Sequence, residues 1–341
     1  MNTLKIGMDI SQMAHTGGVG VYTKKLAEEL SRIEGLEMVY FYSSLRKPYS
    51  GNLKNVRKYK LPPTLFEMLF NKWRNVPIEK FIGPVDVFHS SDWIEPPTKA
   101  KKVTTYHDLV PIIYPEWSHP KIVTVAKRRL KRVEKEIDMV ICVSKSTMDD
   151  LMRVTNIPKE KMVVIYEGVS EQFKPQNVEK VADFKKRMKL PDEFVLAIGG
   201  VGERRNLKRV KEAAKNYNLV ISGEDIPWIS YDQLPLLYAS AKVLLYPSFY
   251  EGFGLPIIEA MSTGLSVITA SVSSMPEVGG DAALYVDPDS VDDIKKKLQQ
   301  VMENNDLRED LIKKGFIRAK KFTWKKAAMD TAEVYRKVAG Q

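Results

Sequence analysis

The stretch Tyr246–Thr269 reads YPSFYEGFGLPIIEAMSTGLSVIT and decides the fold. The apolar run Val243–Tyr246 predicts a buried strand, and a Gly-rich loop follows it. We expect a helix to open at Pro256, because proline lacks the N–H group that the first helical turn leaves unbonded. Gly264 should end that helix in the left-handed conformation that glycine tolerates, before another strand begins. Strand, loop, helix and strand in this order predict a parallel α/β sheet.

Two carboxylates bracket the loop between this strand and its helix. Glu251 precedes Gly252 and Gly254, and Glu259 lies one turn into the helix. Ligands of parallel sheets bind beyond the carboxyl ends of the strands, at helix N-termini that favour anions. A carboxylate accepts hydrogen bonds from sugar hydroxyls. Glu259 therefore suits a diol such as ribose and Glu251 a hydroxyl of a second sugar, with loop N–H groups facing phosphate between them.

Composition sets the frame for the rest of the chain. With 341 residues, 44% hydrophobic and 28% charged, the chain is long enough for two domains. Its one cysteine, Cys142, lies in an apolar run, which predicts a buried thiol and leaves no disulfide within the chain. No apolar run approaches the length of a membrane span and no signal peptide is recognisable, so a cytoplasmic enzyme is expected.

The charge is concentrated in the N-terminal half. Met1–Leu190 carries 33 Lys and Arg against 22 Asp and Glu, whereas the remainder carries 20 against 21. Such an excess suits an anionic acceptor, a membrane surface or nucleic acid, or it is a solvated lysine-rich surface. Much of it lies on the predicted helix Lys121–Ile137, whose basic side chains we expect to point largely outward and which would suit anionic lipid headgroups; they are Lys127, Arg128, Arg129, Lys131, Arg132 and Lys135.

The N-terminus predicts a strand over Leu4–Ile10, a loop over Ser11–Gly20 and an amphipathic helix. Gly17 and Gly18 precede the helix, where backbone N–H groups can reach a phosphate. A dinucleotide-binding oxidoreductase would use such a loop equally well, although G-x-G-x-x-G is not matched. Six further strands would complete one open sheet; they are Met38–Tyr42, Asn55–Lys60, Val85–His89, Lys102–Tyr106, Met139–Val143 and Met162–Tyr166.

The segment Thr64–Arg74 predicts a helix with one apolar face, Leu65, Met68, Leu69 and Trp73, which suits either core packing or contact with lipid. His107 ends a predicted strand and begins the string HDLVPIIYPEW. It therefore lies at the sheet edge where ligands bind, and can donate to a sugar hydroxyl or a phosphate. His15 and His89 have weaker claims, and His119 is expected at the surface.

A second unit of strand, Gly-rich loop and helix begins at Phe194. The strand Phe194–Ile198 leads into the loop Gly199–Gly202 and a helix from about Asn206. Arg204 and Arg205 directly precede this helix, so their guanidinium groups and the helix N-terminus would meet a diphosphate together. The D-x-D string Asp287–Asp289 follows a predicted strand and precedes a helix, so turn and capping chemistry explain it better than a metal does.

Two of these motifs resemble motifs of a known protein family. The string S-x-x-E-G-F-G-L-P-x-x-E-A-M-S-x-G, from Ser248 to Gly264, resembles the E-x7-E signature of family-4 retaining glycosyltransferases, which have the GT-B fold. The string H-D-L-x-P-x-x-Y-P-E from His107 resembles that of bacterial mannosyltransferase-like members, whose histidine contacts the donor sugar. The resemblance spans nearly the whole chain.

The resemblance implies two Rossmann-like domains facing a cleft. Residues 1–170 would form the acceptor-binding domain, 171–193 a connection, 194–322 the nucleotide-sugar-binding domain, and 323–341 a C-terminal helix that crosses back onto the first domain. The implied reaction moves a hexose, with mannose favoured, from a nucleotide diphosphate sugar to an acceptor hydroxyl on a glycan or lipid-linked glycan, with retention and without a metal or other cofactor. The implied catalytic residues are His107, Glu251, Arg204 and Arg205, and the implied donor-binding residues are Gly17, Gly18, Gly252, Phe253, Gly254, Leu255 and Glu259.

Two departures from the family pattern leave questions open. The usual R-K-N reads Arg204-Arg205-Asn206 here, and only a short link follows Ser222 where the donor base is normally held, so the base is not identified. Peripheral contact with an anionic membrane on its cytoplasmic side is a further expectation. Two alternatives from other classes remain, a basic nucleic-acid-binding protein without a recognisable motif and a nucleotide-sugar-binding subunit that has lost activity.

Overall fold

The computed structural model describes residues 3–200 and 203–341, and it forms two compact units. The first contains the chain up to Gly168 together with Trp324–Gln341, and the second is Val169–Thr323. The predicted connection, residues 171–193, lies within the second unit and contains the helix Val178–Met188. Val201 and Gly202 of the predicted Gly-rich loop lie outside the described residues.

The described part of the first unit is built on one parallel sheet of seven strands in the order β3-β2-β1-β4-β5-β6-β7. All seven predicted strands are present, with ends shifted by one or two residues at most positions. The strands are β1 Leu4–Asp9, β2 Leu36–Ser43, β3 Val56–Tyr59, β4 Val87–Ser90, β5 Lys101–Tyr106, β6 Met139–Cys142 and β7 Met162–Val164. The helices between them are α1 Gly18–Leu30, α2 Pro63–Glu67, α3 Glu79–Ile82, α4 Val110–Ile113, α5 Pro120–Glu136 and α6 Lys145–Val154.

The second unit carries a smaller parallel sheet, which has five strands in the described residues and the order β12-β11-β10-β8-β9. The strands are β8 Val195–Ile198, β9 Leu219–Ser222, β10 Val243–Tyr246, β11 Ser266–Ala270 and β12 Leu284–Val286. The helices are α7 Val178–Met188, α8 Leu207–Ala213, α9 Leu234–Ser240, α10 Leu255–Thr263, α11 Met275–Gly279, α12 Val291–Glu303 and α13 Asn305–Ala319. The last helix, α14 Trp324–Ala339, belongs to the first unit and packs on α1.

Each sheet has one point where the strand order reverses, and ligands of open α/β sheets bind there. In the first unit this point lies between β1 and β4, and in the second between β8 and β10. The stretch Tyr246–Thr269 has the predicted order of strand, loop, helix and strand. Gly264 ends α10 at φ 89°, and a side chain there would press against the ring of Phe316.

Two predictions about helical faces were wrong. In Thr64–Arg74 the buried rings are Phe66 and Phe70, which pack on the aromatic cluster around Phe41, whereas Trp73 is half exposed. The backbone continues from Met68 as a π-helical turn, which changes the face that the later residues present. Leu65, Met68 and Leu69 therefore do not form one stripe with Trp73.

One of the six basic side chains of α5, Arg129, does not point outward as predicted, and two others, Arg128 and Arg132, are only partly exposed. Arg129 is buried and donates to Thr104 Oγ1 at 2.5 Å, Arg128 pairs with Glu67 at 2.5 Å, and Arg132 donates to a backbone carbonyl. These arginines help to fix α5 on the unit. The exposed basic residues of this helix are Lys121, Lys127, Lys131 and Lys135.

Cys142 is fully buried in β6, as predicted, and burial raises the pKa of its thiol to about 12. The D-x-D string forms a turn in which Asp289 N–H donates to Asp287 Oδ1 at 2.9 Å, and Ser290 then caps α12.

Within residues 3–200 and 203–341, no helix combines the length and the apolar composition that a membrane crossing requires.

Candidate functional site

The loop between β10 and α10 lies at the reversal point of the second sheet. Gly254 caps α10 at φ 105°, a conformation that other residues rarely adopt, and its added side chain would meet Ile257 at 3.2 Å. Pro256 lies in the first turn of α10, as predicted. Gly252, Phe253 and Leu255 complete this loop and its entry into the helix. The helix N-terminus therefore points its first N–H groups toward the carboxyl edge of the sheet.

Two serines hold the loop from below. Ser273 Oγ donates to Glu251 O at 2.5 Å, and Ser274 Oγ contacts both Glu251 O at 2.9 Å and Phe253 O at 2.8 Å. Neither serine was singled out from the sequence. A signal was present, because these residues lie between β11 and Pro276 in the first turn of α11, the same arrangement of strand, loop and proline as in the loop they support.

Arg204, Arg205 and Glu251 come together at this edge, although they are far apart in sequence. Arg205 Nη1 lies 2.5 Å from Glu251 Oε1, and Arg204 Nη2 lies 3.9 Å from Oε2. The Arg205 guanidinium also lies over the ring of Tyr246, 4.8 Å from its centroid. The side chain of Glu251 is only 7% exposed. Two cations and one carboxylate leave this edge positive, which suits an anionic group beside a helix N-terminus.

Glu259 is buried on α10, and a partner that sequence reasoning missed fixes it. Tyr238 Oη on α9 donates to Glu259 Oε2 at 3.0 Å. Burial raises the pKa of Tyr238, and the Glu259 charge adds to that effect, so the phenol stays protonated and remains a donor. The carboxylate is thereby held in one orientation, as recognition of a diol requires.

A cavity of the first unit lies at that unit's own reversal point. The cavity holds about 550 Å³ and is lined by residues that follow β1 and β4, including Gly17, Gly18, Asp9 and Ser91. The Asp9 carboxylate is buried and accepts hydrogen bonds from Ser11 and Ser91. Burial raises the pKa of Asp9, although these hydrogen bonds oppose the change. A side chain added at Gly17 would meet nothing within 4 Å, which leaves open space beside the loop.

His107 follows β5, as predicted, but it is not among the residues that line this cavity. Its Nδ1 lies 3.0 Å from Glu167 Oε1, and the Tyr22 ring packs edge-on against it at 4.4 Å. Burial lowers the pKa of His107, but the charges of Asp92, Glu167 and Asp108 together outweigh burial and raise it above 6.5. Glu167 orients the ring and was not predicted.

His89, by contrast, is buried, and both of its ring nitrogens contact hydroxyl groups of the fold. Its Nδ1 lies 2.6 Å from Tyr335 Oη of α14, and its Nε2 lies 2.9 Å from Thr105 Oγ1, which in turn contacts Tyr22. Burial lowers the pKa of His89 to about 3, and the nearby His107 and Arg129 charges contribute, so the ring is neutral. The network ties α14 to α1, β4 and β5. His15 lines the large cavity, and the exposed His119 caps α5.

We expect His107 and His89 to separate in an NMR titration. His107 should titrate above 6.5, whereas His89 should stay neutral down to about pH 3. Because the folded pKa of His107 exceeds the unfolded value, its protonation stabilises the fold below pH 6.5, and that contribution disappears as the pH rises through the folded pKa.

The variant Glu167→Gln should lower the pKa of His107, since it removes one of the charges that raise it. Its loss of stability relative to the unchanged chain should be larger below pH 6.5 than well above it. A histidine at position 107 that titrates at or below 6.5 in the unchanged chain would contradict this assignment.

Two Rossmann-like units, each with ligand-facing loops at its reversal point, define the GT-B class of glycosyltransferases. The chain belongs to the group 1 glycosyltransferases. The family model described as "Glycosyl transferases group 1" matches residues 147–318, and the model described as "Glycosyltransferase Family 4" matches residues 16–173. The resemblance drawn from the motifs is therefore confirmed. It follows that the chain is an enzyme of sugar transfer.

Two characterised relatives of this chain are mannosyltransferases. The chain is 30% identical over 282 residues to the O-antigen chain mannosyltransferase B of Escherichia coli. The matched region covers 73% of this chain and 74% of that protein. It is 25% identical over 268 residues to a serotype-specific mannosyltransferase of Escherichia coli, covering 67% of this chain but 32% of that longer protein.

A solved structure agrees on the fold. Sucrose-phosphate synthase from Thermosynechococcus elongatus superposes with a TM-score of 0.78 and covers 98% of this chain and 99% of its own. At 19% identity this likeness establishes the fold alone.

Proposed function

We propose that the protein transfers a hexose, with mannose favoured, from a nucleotide diphosphate sugar to a hydroxyl of a glycan or lipid-linked glycan, with retention at the anomeric carbon. The observation that carries the proposal is the group formed by Arg204, Arg205 and Glu251 beside the N-terminus of α10. The names of the two Escherichia coli relatives support mannose and a polysaccharide product. The acceptor and the base of the donor are not specified by these observations.

In the proposed reaction the developing charge is on the leaving diphosphate. Arg204, Arg205 and the N–H groups of the loop Gly252–Leu255 would stabilise it, because donors fixed in advance need no reorganisation during the reaction. We propose that they do so without a metal ion. The described residues contain no group of three or more His, Cys, Asp or Glu side chains arranged to hold one.

The remaining site residues are assigned by the chemistry of their side chains. Glu259, held by Tyr238, would bind the ribose diol of the donor. Glu251 would accept a hydrogen bond from a sugar hydroxyl, and His107 would donate one to the donor sugar. Gly17 and Gly18 would face the diphosphate and the acceptor.

We propose that retention is achieved by same-face attack of the acceptor. The acceptor oxygen bonds to the anomeric carbon on the face from which the diphosphate leaves, and the departing phosphate oxygen takes the acceptor proton. The glycosidic C–O bond forms as the bond between sugar and phosphate breaks, so atoms and electrons balance. No covalent nucleophile is required.

The test is slow hydrolysis of donors in the absence of acceptor. UDP-, GDP- and ADP-sugars are incubated separately with the full chain and a chelator, and release of nucleoside diphosphate is measured. We expect one donor to be turned over with metal removed. Turnover only after a divalent cation is restored would contradict the metal-free mechanism, and no binding of any donor would contradict the donor site itself.

Contact with an anionic membrane stays a proposal, now limited to the exposed lysines of α5. Lys127, Lys131 and Lys135 are spaced by four residues and lie on one stripe of the helix. Each basic residue near an anionic surface contributes about 1 kcal/mol. Charge reversal of all three should release the protein from phosphatidylserine vesicles in a sedimentation assay. Unchanged binding would contradict the contact, and reversal at the three exposed lysines Lys313, Lys320 and Lys321 of the second unit is the matched control.

A further inference from the structure

A buried asparagine, Asn206, directly follows Arg205 and precedes α8. It is 3% exposed, and its backbone is in the left-handed conformation, at φ 58° and ψ 30°. Asparagine is one of the few residues besides glycine that adopt this conformation routinely. Asparagine at the start of a helix commonly caps it with the side chain, but the Asn206 side chain makes no such hydrogen bond to α8. Helix capping therefore does not explain its amide group.

The amide instead connects segments that follow three strands of the second sheet. Asn206 Nδ2 donates to Pro247 O at 3.1 Å and to Pro288 O at 2.6 Å, which uses both of its protons. Pro247 directly follows β10, and Pro288 lies two residues after β12. Asn206 itself belongs to the segment after β8. One side chain thus holds three segments together at the carboxyl edge of the sheet.

Two hydrogen bonds fix the turn that carries Arg205. Phe249 N–H donates to Arg204 O at 2.9 Å, one residue before Arg205. The bond from Asn206 Nδ2 to Pro247 O lies one residue after it. Both bonds end on the short segment that follows β10. The backbone of Arg205 is therefore held against that segment from both sides.

The guanidinium group of Arg205 uses the same segment. It lies 2.5 Å from Glu251 Oε1 and 4.8 Å from the centroid of the Tyr246 ring. A long side chain loses conformational entropy when it is held in one position, so its contacts persist best when its backbone is already fixed. The Asn206 amide supplies part of that fixation, because it joins the turn to the end of β10.

We infer that Asn206 is a positioning residue of the diphosphate site and acts through Arg205, not through contact with the ligand. The inference rests on the proposed function and deepens it, since it adds a residue to the group that stabilises the leaving diphosphate. A guanidinium fixed in advance needs no reorganisation when charge develops. Without the amide, the turn is released from two of its carbonyl partners, and Arg205 loses its fixed direction.

The test is a double-mutant cycle on nucleoside diphosphate binding. UDP, GDP and ADP are titrated into the full chain by calorimetry with a chelator present, and the nucleotide that binds most tightly is used. Asn206→Gly removes the amide but tolerates φ 58°. We expect its Kd to rise about tenfold, part of the effect of losing a charged hydrogen bond. In the Arg205→Ala background the same substitution should cause no further rise, because residues that act as one unit are not additive.

Asn55→Gly is the matched control. Asn55 of the first unit also has a left-handed backbone, at φ 56°, and its Nδ2 donates to a backbone carbonyl, Met38 O, at 3.3 Å. Its substitution should leave the nucleotide Kd unchanged. Asn206→Ser is a second variant for the case that Asn206→Gly does not fold. Its shorter hydroxyl has one proton and cannot serve both carbonyls, so the Kd should rise in the same direction.

The cycle separates positioning from a purely structural role. Loss of buried hydrogen bonds lowers the thermal midpoint in either case, so the midpoint alone decides nothing. An unchanged Kd in the folded Asn206 variants would overturn the inference, and so would an equal rise in the presence and absence of Arg205. If none of the three nucleotides bound the unchanged chain, the proposed function itself would fail and the inference with it, which is a different result from either of these.

Discussion

Replacing Arg205 with alanine should lower kcat/KM for the donor by roughly 10²–10³-fold, the effect expected for the loss of one preorganised donor to a developing oxyanion, about 2.7–4 kcal/mol. The size follows from position. Arg205 is anchored by Glu251 at 2.5 Å and by the ring of Tyr246, so its guanidinium is fixed before the diphosphate forms its charge. Arg205→Lys keeps the charge but loses the planar fork, and should recover only part of the activity. Nucleoside diphosphate release in the donor assay measures both.

Arg209→Ala is the matched control for this prediction. Arg209 lies on α8 a few residues away and pairs at 3.2 Å with Asp289, which is exposed. The ion pair itself contributes little, but Arg209 also donates to Asn206 Oδ1 and lies over the Phe249 ring, so its loss should lower the thermal midpoint while it leaves activity nearly unchanged. If Arg209→Ala and Arg205→Ala were equally impaired with unchanged thermal midpoints, the assignment of the diphosphate to Arg205 would be wrong.

The sheets could be predicted from the sequence because buried parallel strands are continuous apolar runs. Met139–Cys142 and Val243–Tyr246 are buried along their whole length, and the second run ends at Pro247. The helices between strands were predictable where an amphipathic pattern or a terminal proline marked them, as in α5 and α10. Parallel pairing then left few ways to order the elements.

The helix α13 was missed because the sequence signal works against it. Its buried face includes Gly315 and Ala319, and glycine in a helix interior normally argues against a helix. Here the glycine permits close packing on α10, since an added side chain would lie 3.2 Å from Met261. Likewise Arg129 was predicted outward by charge alone. Its burial depends on Thr104 and Tyr106, which only tertiary structure brings near.

The candidate site was predictable to the extent that strand ends share an edge. Arg204 and Arg205 follow β8, and Glu251 follows β10, which pairs with β8. Their meeting therefore follows from topology. The groups that orient them come from other elements: Ser273 and Ser274 after β11, Tyr238 on α9 and, in the first unit, Glu167 after β7. No local pattern relates these residues to their partners, so only the structure shows them.

Substitution of Glu259 should affect donor binding, whereas substitution of Glu251 should affect the rate of transfer. Glu259→Ala should weaken donor binding by the loss of a charged hydrogen bond, about 1.5–3 kcal/mol or roughly 10- to 150-fold in Kd. Glu251→Ala should leave donor affinity nearly unchanged and slow transfer instead. Removing Glu251 also removes the negative charge beside Arg204 and Arg205, so the diphosphate meets a more positive edge, which offsets the lost sugar contact in binding. Donor Kd by calorimetry and kcat for transfer distinguish the two.

Because Glu259 is buried, a substitution there can change the stability of the fold as well as ligand binding. Glu259 is 4% exposed, and alanine there would leave the Tyr238 hydroxyl without its acceptor, so Glu259→Gln is examined beside it. The amide oxygen can still accept from Tyr238, yet the charge that strengthens a hydrogen bond to ribose is gone. A weakened Kd in both variants at an unchanged thermal midpoint therefore reports the ligand contact rather than the fold. Glu309→Ala, an exposed glutamate on α13 of the same unit, is the control, and equal small effects at Glu251 and Glu259 would contradict both assignments.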